Sequence, residues 1–338
     1  MTDAPDQTDQ TDPMEQIDEP GGGESLFTVL VALGANVLIA IAKSVVAFVT
    51  GSASMVAEAA HSWADAGNEV FLVVAEKRAG RPKDAAHPYG HGREAYVWSM
   101  FAAFGLFSAG AVVSIWHGVQ SWREGTGGEV EVDYRWAYAV LALAFVLEGV
   151  SFLQARRQTK AQAGRLGLEA LPFILRTSNP TLRAVYFEDA AALIGIVLAA
   201  IGIVLHQVTG DARWDAVGSI AVGLLLLAIA VFLISRNRDF LVGQSVSAEL
   251  RQRALADLLE RPEIERLTFL HLEFVGPGRI LLIAAVDLVG DDSESRLAER
   301  LHRLSDSIRD HDQVEEAIIT LARPEDPSLK PHSPQQGR

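Results

Sequence analysis

The sequence predicts an α-helical membrane protein: six transmembrane helices followed by a cytoplasmic α+β domain of αββαβ order. Three observations predict it. Six apolar stretches, each near the roughly 20 residues that cross a bilayer, follow one another in the middle of the chain. Net charge is confined to the two ends. After Asp239 the long apolar runs give way to amphipathic helices and alternating strands.

The charge partition comes from the composition. The chain has 338 residues, 49% of them apolar, no cysteine and a formal charge of −14. Its mean hydropathy is nevertheless positive, +0.18. Residues 1–24 carry eight acids and no base, a net −8, and residues 240–338 carry a net −6. Residues 25–239 sum to zero, with 17 acids and 17 bases. The missing Cys excludes disulfide frameworks, Cys-based zinc fingers, iron–sulfur clusters and thiol catalysis. A pI near 5.1 argues against a nucleic-acid partner, which needs a basic face. The reading therefore places a disordered acidic tail at 1–24, a membrane domain at 25–239, a cytoplasmic domain at 240–323 and a second disordered tail at 324–338. The first tail lacks the basic start of a signal peptide, so no cleavage is expected.

The six spans are Leu26–Val49, Ser54–Ala75, Tyr96–Val119, Trp136–Leu153, Ala184–Leu205 and Ala216–Ile234. The second is the least apolar. Its short link to the first, Thr50-Gly51-Ser52-Ala53, suggests an antiparallel hairpin. Asn179-Pro180 reads as an N-cap and first-turn pair, which starts span five before its apolar part. Basic residues set the orientation. Lys77, Arg78, Arg81, Lys83 and Arg93 follow span two. Arg156, Arg157, Lys160, Arg165 and Arg176 follow span four, and Arg236 and Arg238 follow span six. The other side has only Arg123, Arg135 and Arg213. Both termini are thus expected in the cytoplasm of a cell whose inner membrane holds the protein. Trp116, Trp122, Trp136 and Trp214 gather at the outer ends as an aromatic belt.

The end domain reads in the same way. Ala248–Leu259 is an amphipathic helix, and Ile264–Val275 and Arg279–Leu288 are strands joined at Gly276-Pro277-Gly278. Ser293–Asp310 is a second helix, and Val314–Ala322 a last strand. This order suits helices packed on a sheet face.

Charges at bilayer depth mark functional candidates. In span two, Glu58, His61, Asp65 and Asn68 are spaced three, four and three apart, which places them on one helix stripe. His61 and Asp65 lie one turn apart and about 10–16 Å below the outer end. Imidazole nitrogen with carboxylate oxygen suits Zn²⁺, and also Mn²⁺, Fe²⁺ or Co²⁺. Two ligands are too few for a tetrahedral site. Span five offers Glu188 and Asp189, its only acids, among small residues that let helices approach. The bland alternative is His61 paired with a carboxylate as helix glue. Glu148 is left open, and Lys43 is read as structural, paired with an acid or snorkelling. After span two, Asp84, His87 and His91 either converge on a second cation or cap span three by hydrogen bonds.

These residues resemble the cation diffusion facilitator family of divalent-metal transporters. The resemblance covers roughly residues 26–322. It rests on Gly51-Ser52-Ala53-Ser54-Met55-Val56-Ala57-Glu58-Ala59-Ala60-His61-Ser62-Trp63-Ala64-Asp65 and on His87-Pro88-Tyr89-Gly90-His91-Gly92. It implies a ferredoxin-like cytoplasmic domain, a homodimer in the lipid bilayer and exchange of metal for protons. It also implies that His61, Asp65 and Asp189 belong to the transport site, and that Asp84, His87 and His91 form a loop metal site. One departure stands out: four residues before Asp189, where the family usually has His, this chain has Val185. Glu188 is the expected substitute, although it lies about 100° around the helix from Asp189. The run Phe187-Glu188-Asp189-Ala190-Ala191 looks like the zinc-transporter-nine branch. His271, His302 and His311 do not match the family's cytoplasmic ligands, so the end domain is expected to dimerise with weak or absent metal sensing. The expected activity is zinc efflux, with manganese or iron(II) as alternative cargo. A membrane-anchored interaction protein with a degenerate site is the alternative of another class. An intramembrane hydrolase would need His-Glu-x-x-His, which is absent, so no enzyme is expected.

Overall fold

The computed structural model describes residues 26–125 and 133–331, and the expected acidic tail lies outside them. The chain divides into two compact units between Val242 and Gly243. Gly243 holds a left-handed φ of +103°, and a Cβ there would lie 2.9 Å from Glu273 Oε1, so the position is suited only to glycine.

Six long helices build the first unit. They are α1 (Leu26–Thr50), α2 (Ala53–Ala79), a composite third helix, α5 (Arg135–Arg165), α7 (Pro180–Thr209) and α8 (Arg213–Val242). The third runs from α3 (Glu94–Ala102) through a π-helical turn (Ala103–Phe107) into α4 (Ser108–Glu124). All but α2 are long and apolar enough to cross a membrane. With 27 residues, α2 has the length but not the apolarity. It packs against α1, α4, α7 and α8, so its polar residues meet protein rather than lipid. Leu38, Phe48, Val112, Val146 and Val231 stand exposed on the surrounding helices, an apolar surface suited to acyl chains.

Two features exceed the sequence expectation. α5 continues past Leu153 to Arg165 because Gln154–Gly164 is rich in Ala, Gln and Arg, good helix formers that hydropathy does not register. A short helix α6 (Ala170–Arg176) buries Phe173 and Ile174 beside Ala163 and Leu182. The expected cap of α7 is present, with Asn179 Oδ1 accepting from Leu182 N at 3.0 Å ahead of Pro180.

Polar clasps hold both ends of the bundle. Asp215, in the first turn of α8, accepts from Ser52 Oγ at 2.9 Å, Ala53 N at 2.6 Å and Ser54 N at 3.2 Å. These amides open α2 and have no partner within the helix. At the other end the buried Arg183 donates to Thr177 O at 2.7 Å and to Asn237 Oδ1 at 2.6 Å. Asn237 in turn donates to Ser99 Oγ at 3.0 Å. The guanidinium lies 5.4 Å from the Phe240 ring centre, and Tyr96 stacks on that ring.

The second unit is a three-stranded sheet of order β1-β2-β3 with two helices. β1 (Ile264–Gly276) and β2 (Arg279–Leu288) run antiparallel, with Leu272 opposite Leu282. β2 and β3 (Val314–Leu321) run parallel, which requires a crossover; α10 (Glu294–Arg309) provides it. From α9 (Ala248–Leu259) and α10, Leu255, Leu258, Leu304 and Ile308 join Leu267, Leu282 and Ala284 in one core. The chain after 323 is not free at its start, because Leu329 packs on this core and its N–H donates to Leu267 O at 2.6 Å.

Removing the Asp215 clasp leaves buried α2 amides unpaired, which costs about 1–3 kcal/mol. Asp215→Ala is expected to lower the thermal midpoint of the purified protein by several degrees. Asp133→Ala, which removes an exposed pair with Arg135, should leave it in place. Equal midpoints for the two variants would show that the clasp contributes nothing.

Candidate metal centre

α2 brings four polar side chains to one stripe because residues three and four apart share a helix face. Each meets a different environment. Glu58 accepts a 2.8 Å ion pair from Lys43 of α1, and both side chains are fully buried. His61 is 1% exposed, and neither ring nitrogen has a hydrogen-bond partner. Its Nε2 faces Asp65 Oδ1 at 3.5 Å. Asn68 donates to Glu188 of α7, at 2.8 Å to Oε1 and 2.7 Å to Oε2.

The His61–Asp65 separation is informative. It is too long for a good hydrogen bond. Two ligands each about 2.1 Å from one tetrahedral ion sit roughly 3.4 Å apart. The pair is therefore spaced as two ligands of one cation, without any change of rotamer.

Asp65 also lines a cavity of about 210 Å³ together with Glu188 and Asp189. Asp189 accepts from Ser151 Oγ of α5 at 2.7 Å. The 100° between Glu188 and Asp189 does not separate them, because the cavity is wide enough to take both and a different neighbour anchors each. Counting from the expected outer ends of spans two and five puts Asp189 roughly 8 Å deeper than Asp65. That offset does not part them either, since both reach the one cavity. Val185 lines the same wall and offers no donor. Two further carboxylates line the cavity: Glu148, whose role the sequence reading left open, and Glu69, which it did not single out. Glu69 continues the α2 stripe one turn beyond Asp65, which was a usable signal. It accepts from Asn36 Nδ2 of α1 at 2.6 Å. Lys43, expected to be structural, is paired with Glu58.

α7 approaches α2 closely at Gly195. A Cβ there would lie 2.7 Å from Glu58 Oε1 and 3.5 Å from His61 Nδ1.

The loop after α2 forms a compact triad. Asp84 Oδ1 accepts from His87 N at 2.8 Å and lies 3.0 Å from His87 Nδ1, while Oδ2 lies 3.1 Å from His91 Nε2. Among the described residues this is the one group of three or more acidic or imidazole side chains whose ligand atoms lie within 4.8 Å of one another. The four intramembrane residues are not so tightly gathered. Hydrogen bonds, from the His87 ring first and then from His91, hold the Asp84 carboxyl below the usual carboxylate range. His271, His302 and His311 sit apart in the second unit, against Glu273, Asp306 and Arg261 respectively.

The family profile described as the cation efflux transmembrane domain matches residues 29–242, the helical unit that contains this cavity. The chain belongs to the cation diffusion facilitator family. It is a multi-pass membrane protein of a family of transporters, not enzymes. It is 35% identical over 263 residues to metal tolerance protein C4 of Arabidopsis thaliana, covering 78% of this chain and 57% of that protein. It is 31% identical over 299 residues to the mitochondrial proton-coupled zinc antiporter SLC30A9 of Homo sapiens, covering 88% of this chain and 50% of that one. It is 21% identical over 244 residues to the manganese efflux system protein MneP of Bacillus subtilis, covering 70% of this chain and 75% of that one. The chain thus spans about half the length of the first two relatives.

Two outcomes follow from this geometry. Gly195→Ala should push Glu58 off Lys43 and lower stability by about 1–3 kcal/mol, whereas Gly34→Ala, with nothing within 4 Å, should not. Thermal unfolding compares them, and equal midpoints would contradict the close approach. For the loop, an Asp held below its ordinary value keeps its charge as pH falls through about 3.9, and its contribution is lost only below that. A ¹³C-carboxyl NMR titration should give Asp84 a midpoint below that of an unperturbed Asp, and a midpoint at or above 3.9 contradicts the loop geometry.

Proposed function

We propose that the protein exports a divalent cation across its membrane in exchange for protons, with zinc as the first cargo. The cation binds between α2 and α7 through His61 and Asp65, with Glu188 and Asp189 completing the set. One observation carries this reading: the partnerless His61 nitrogen faces Asp65 at the spacing of two ligands on one ion, and Asp65 opens onto the cavity it shares with the α7 acids. The human relative, a proton-coupled zinc antiporter, supports it.

Proton coupling follows from the ligand chemistry. Imidazole nitrogen and carboxylate oxygen bind metal only when they hold no proton, so metal and protons compete for the same atoms. Cation release to the outside frees those atoms to take up protons. The return of the site to the cytoplasmic face delivers the protons inward. Asp84, His87 and His91 form a second cation site in the loop. The basic loops after α2 and α5 support a topology with both termini in the cytoplasm, and in this reading the protein acts as a homodimer in the cell membrane. The single imidazole keeps Mn²⁺ and Fe²⁺ as the second reading, because a carboxylate-rich site is harder than a two-imidazole one.

Liposomes loaded with a pH-sensitive dye test the reading. Wild-type protein should move protons against a Zn²⁺ gradient. Asp65→Asn or Asp189→Asn should cut that flux about tenfold or more, since each removes an anionic ligand. Unchanged flux in both variants would overturn the site.

A further inference from the structure

Five carboxylates line the cavity, those of Asp65, Glu69, Glu148, Glu188 and Asp189, and no basic side chain does. Three of them are anchored by hydrogen bonds: Glu188 by Asn68, Asp189 by Ser151, and Glu69 through Oε1 by Asn36, while Asp65 faces His61 at 3.5 Å without a hydrogen bond. Glu148 receives no hydrogen bond or ion pair from any described residue. An acidic cluster alone does not make a site. The second observation is His61, which is almost wholly buried, has no hydrogen-bond partner and points its Nε2 at the Asp65 carboxylate that opens onto the cavity. A buried imidazole left unpaired is costly, and a cation held between it and Asp65 removes that cost.

We infer that Glu148 of α5 is a further ligand of the cavity's cation. The inference rests on the proposed location of the cation in this cavity. Its placement follows from the helix face. Leu147, Glu148 and Ser151 of α5 all line the cavity, and Ser151, one turn from Glu148, already holds Asp189. Glu148 therefore enters from the α5 wall, one turn of α5 from the residue that holds Asp189. Its two oxygens are free to bind metal without breaking an existing bond. The consequence is selectivity. A carboxylate in place of an imidazole gives a harder donor set, which favours Mn²⁺ relative to Zn²⁺.

The test uses the full chain with Asp84→Ala, which silences the loop triad. Equilibrium binding of Mn²⁺ and of Zn²⁺ is compared for this background and for added Glu148→Gln, Glu148→Asp and Asp65→Asn. Glu148→Gln should weaken Mn²⁺ by about tenfold and Zn²⁺ by clearly less, lowering the Mn²⁺/Zn²⁺ affinity ratio. Glu148→Asp, which keeps the carboxylate, should restore most of that ratio. Unchanged binding in Glu148→Gln, alongside lost binding in Asp65→Asn, overturns the role of Glu148 and leaves the proposed site standing. An equal loss of both metals that Glu148→Asp does not rescue means Glu148 only supports the fold, which also overturns it. Unchanged binding in Asp65→Asn removes the proposed site itself, and the ligand role of Glu148 with it.

Discussion

A charged or strongly polar side chain at bilayer depth has no water to meet, and that constraint organises the helical unit. Several such groups are met by another helix, and others line the cavity. Lys43 of α1 meets Glu58 of α2, Asn68 of α2 meets Glu188 of α7, and Ser151 of α5 meets Asp189 of α7. These pairs are also ties between helices. The polar residues that set α2 apart from a lipid-facing span therefore fix which helices surround it. The ends obey the same rule, with Asp215 closing the open amides of α2 and Asn237 receiving Arg183.

The ties divide the α2 stripe into structural and chemical parts. Glu58 and Asn68, at its ends, are tied to other helices, with Glu58 Oε1 left without a hydrogen bond. His61 and Asp65, between them, keep atoms that no protein group satisfies. A transporter needs both properties close together. A wholly satisfied stripe would hold the helices and bind nothing. A wholly unsatisfied one would not fold in an apolar medium.

Much of this was legible in the sequence. Of the six expected transmembrane spans, all appear as long helices and five are apolar enough to cross a membrane, and the α9-β1-β2-α10-β3 order and the Asn179 cap are also found, because apolar runs, alternation and capping residues are local signals. The α2 stripe was equally readable, since a period of three and four is a property of one helix. The unread parts depend on two elements at once. The anchoring of Glu188 by Asn68 spans 120 positions, and no spacing along one helix announces it. Glu148 is a single acid on α5, and it reaches the cavity only because α5 turns that face toward α7. α6 was missed because seven residues make too short a periodic signal.

The π-helical turn from Ala103 to Phe107 acts as a phase corrector. The buried residues Ser99, Ala103, Phe107 and Ala111 recur every four positions. An ordinary α-helix advances about 100° per residue, so over that stretch the buried line would drift by about 120° around the axis. The wider turn takes up this drift and keeps all four residues on one side. Ser99 can then receive Asn237 from α8 while Ala111 still packs within the bundle. Rewound as plain α-helix, the same sequence would keep every residue but lose the alignment, and the Arg183–Asn237–Ser99 chain would be cut at its last member.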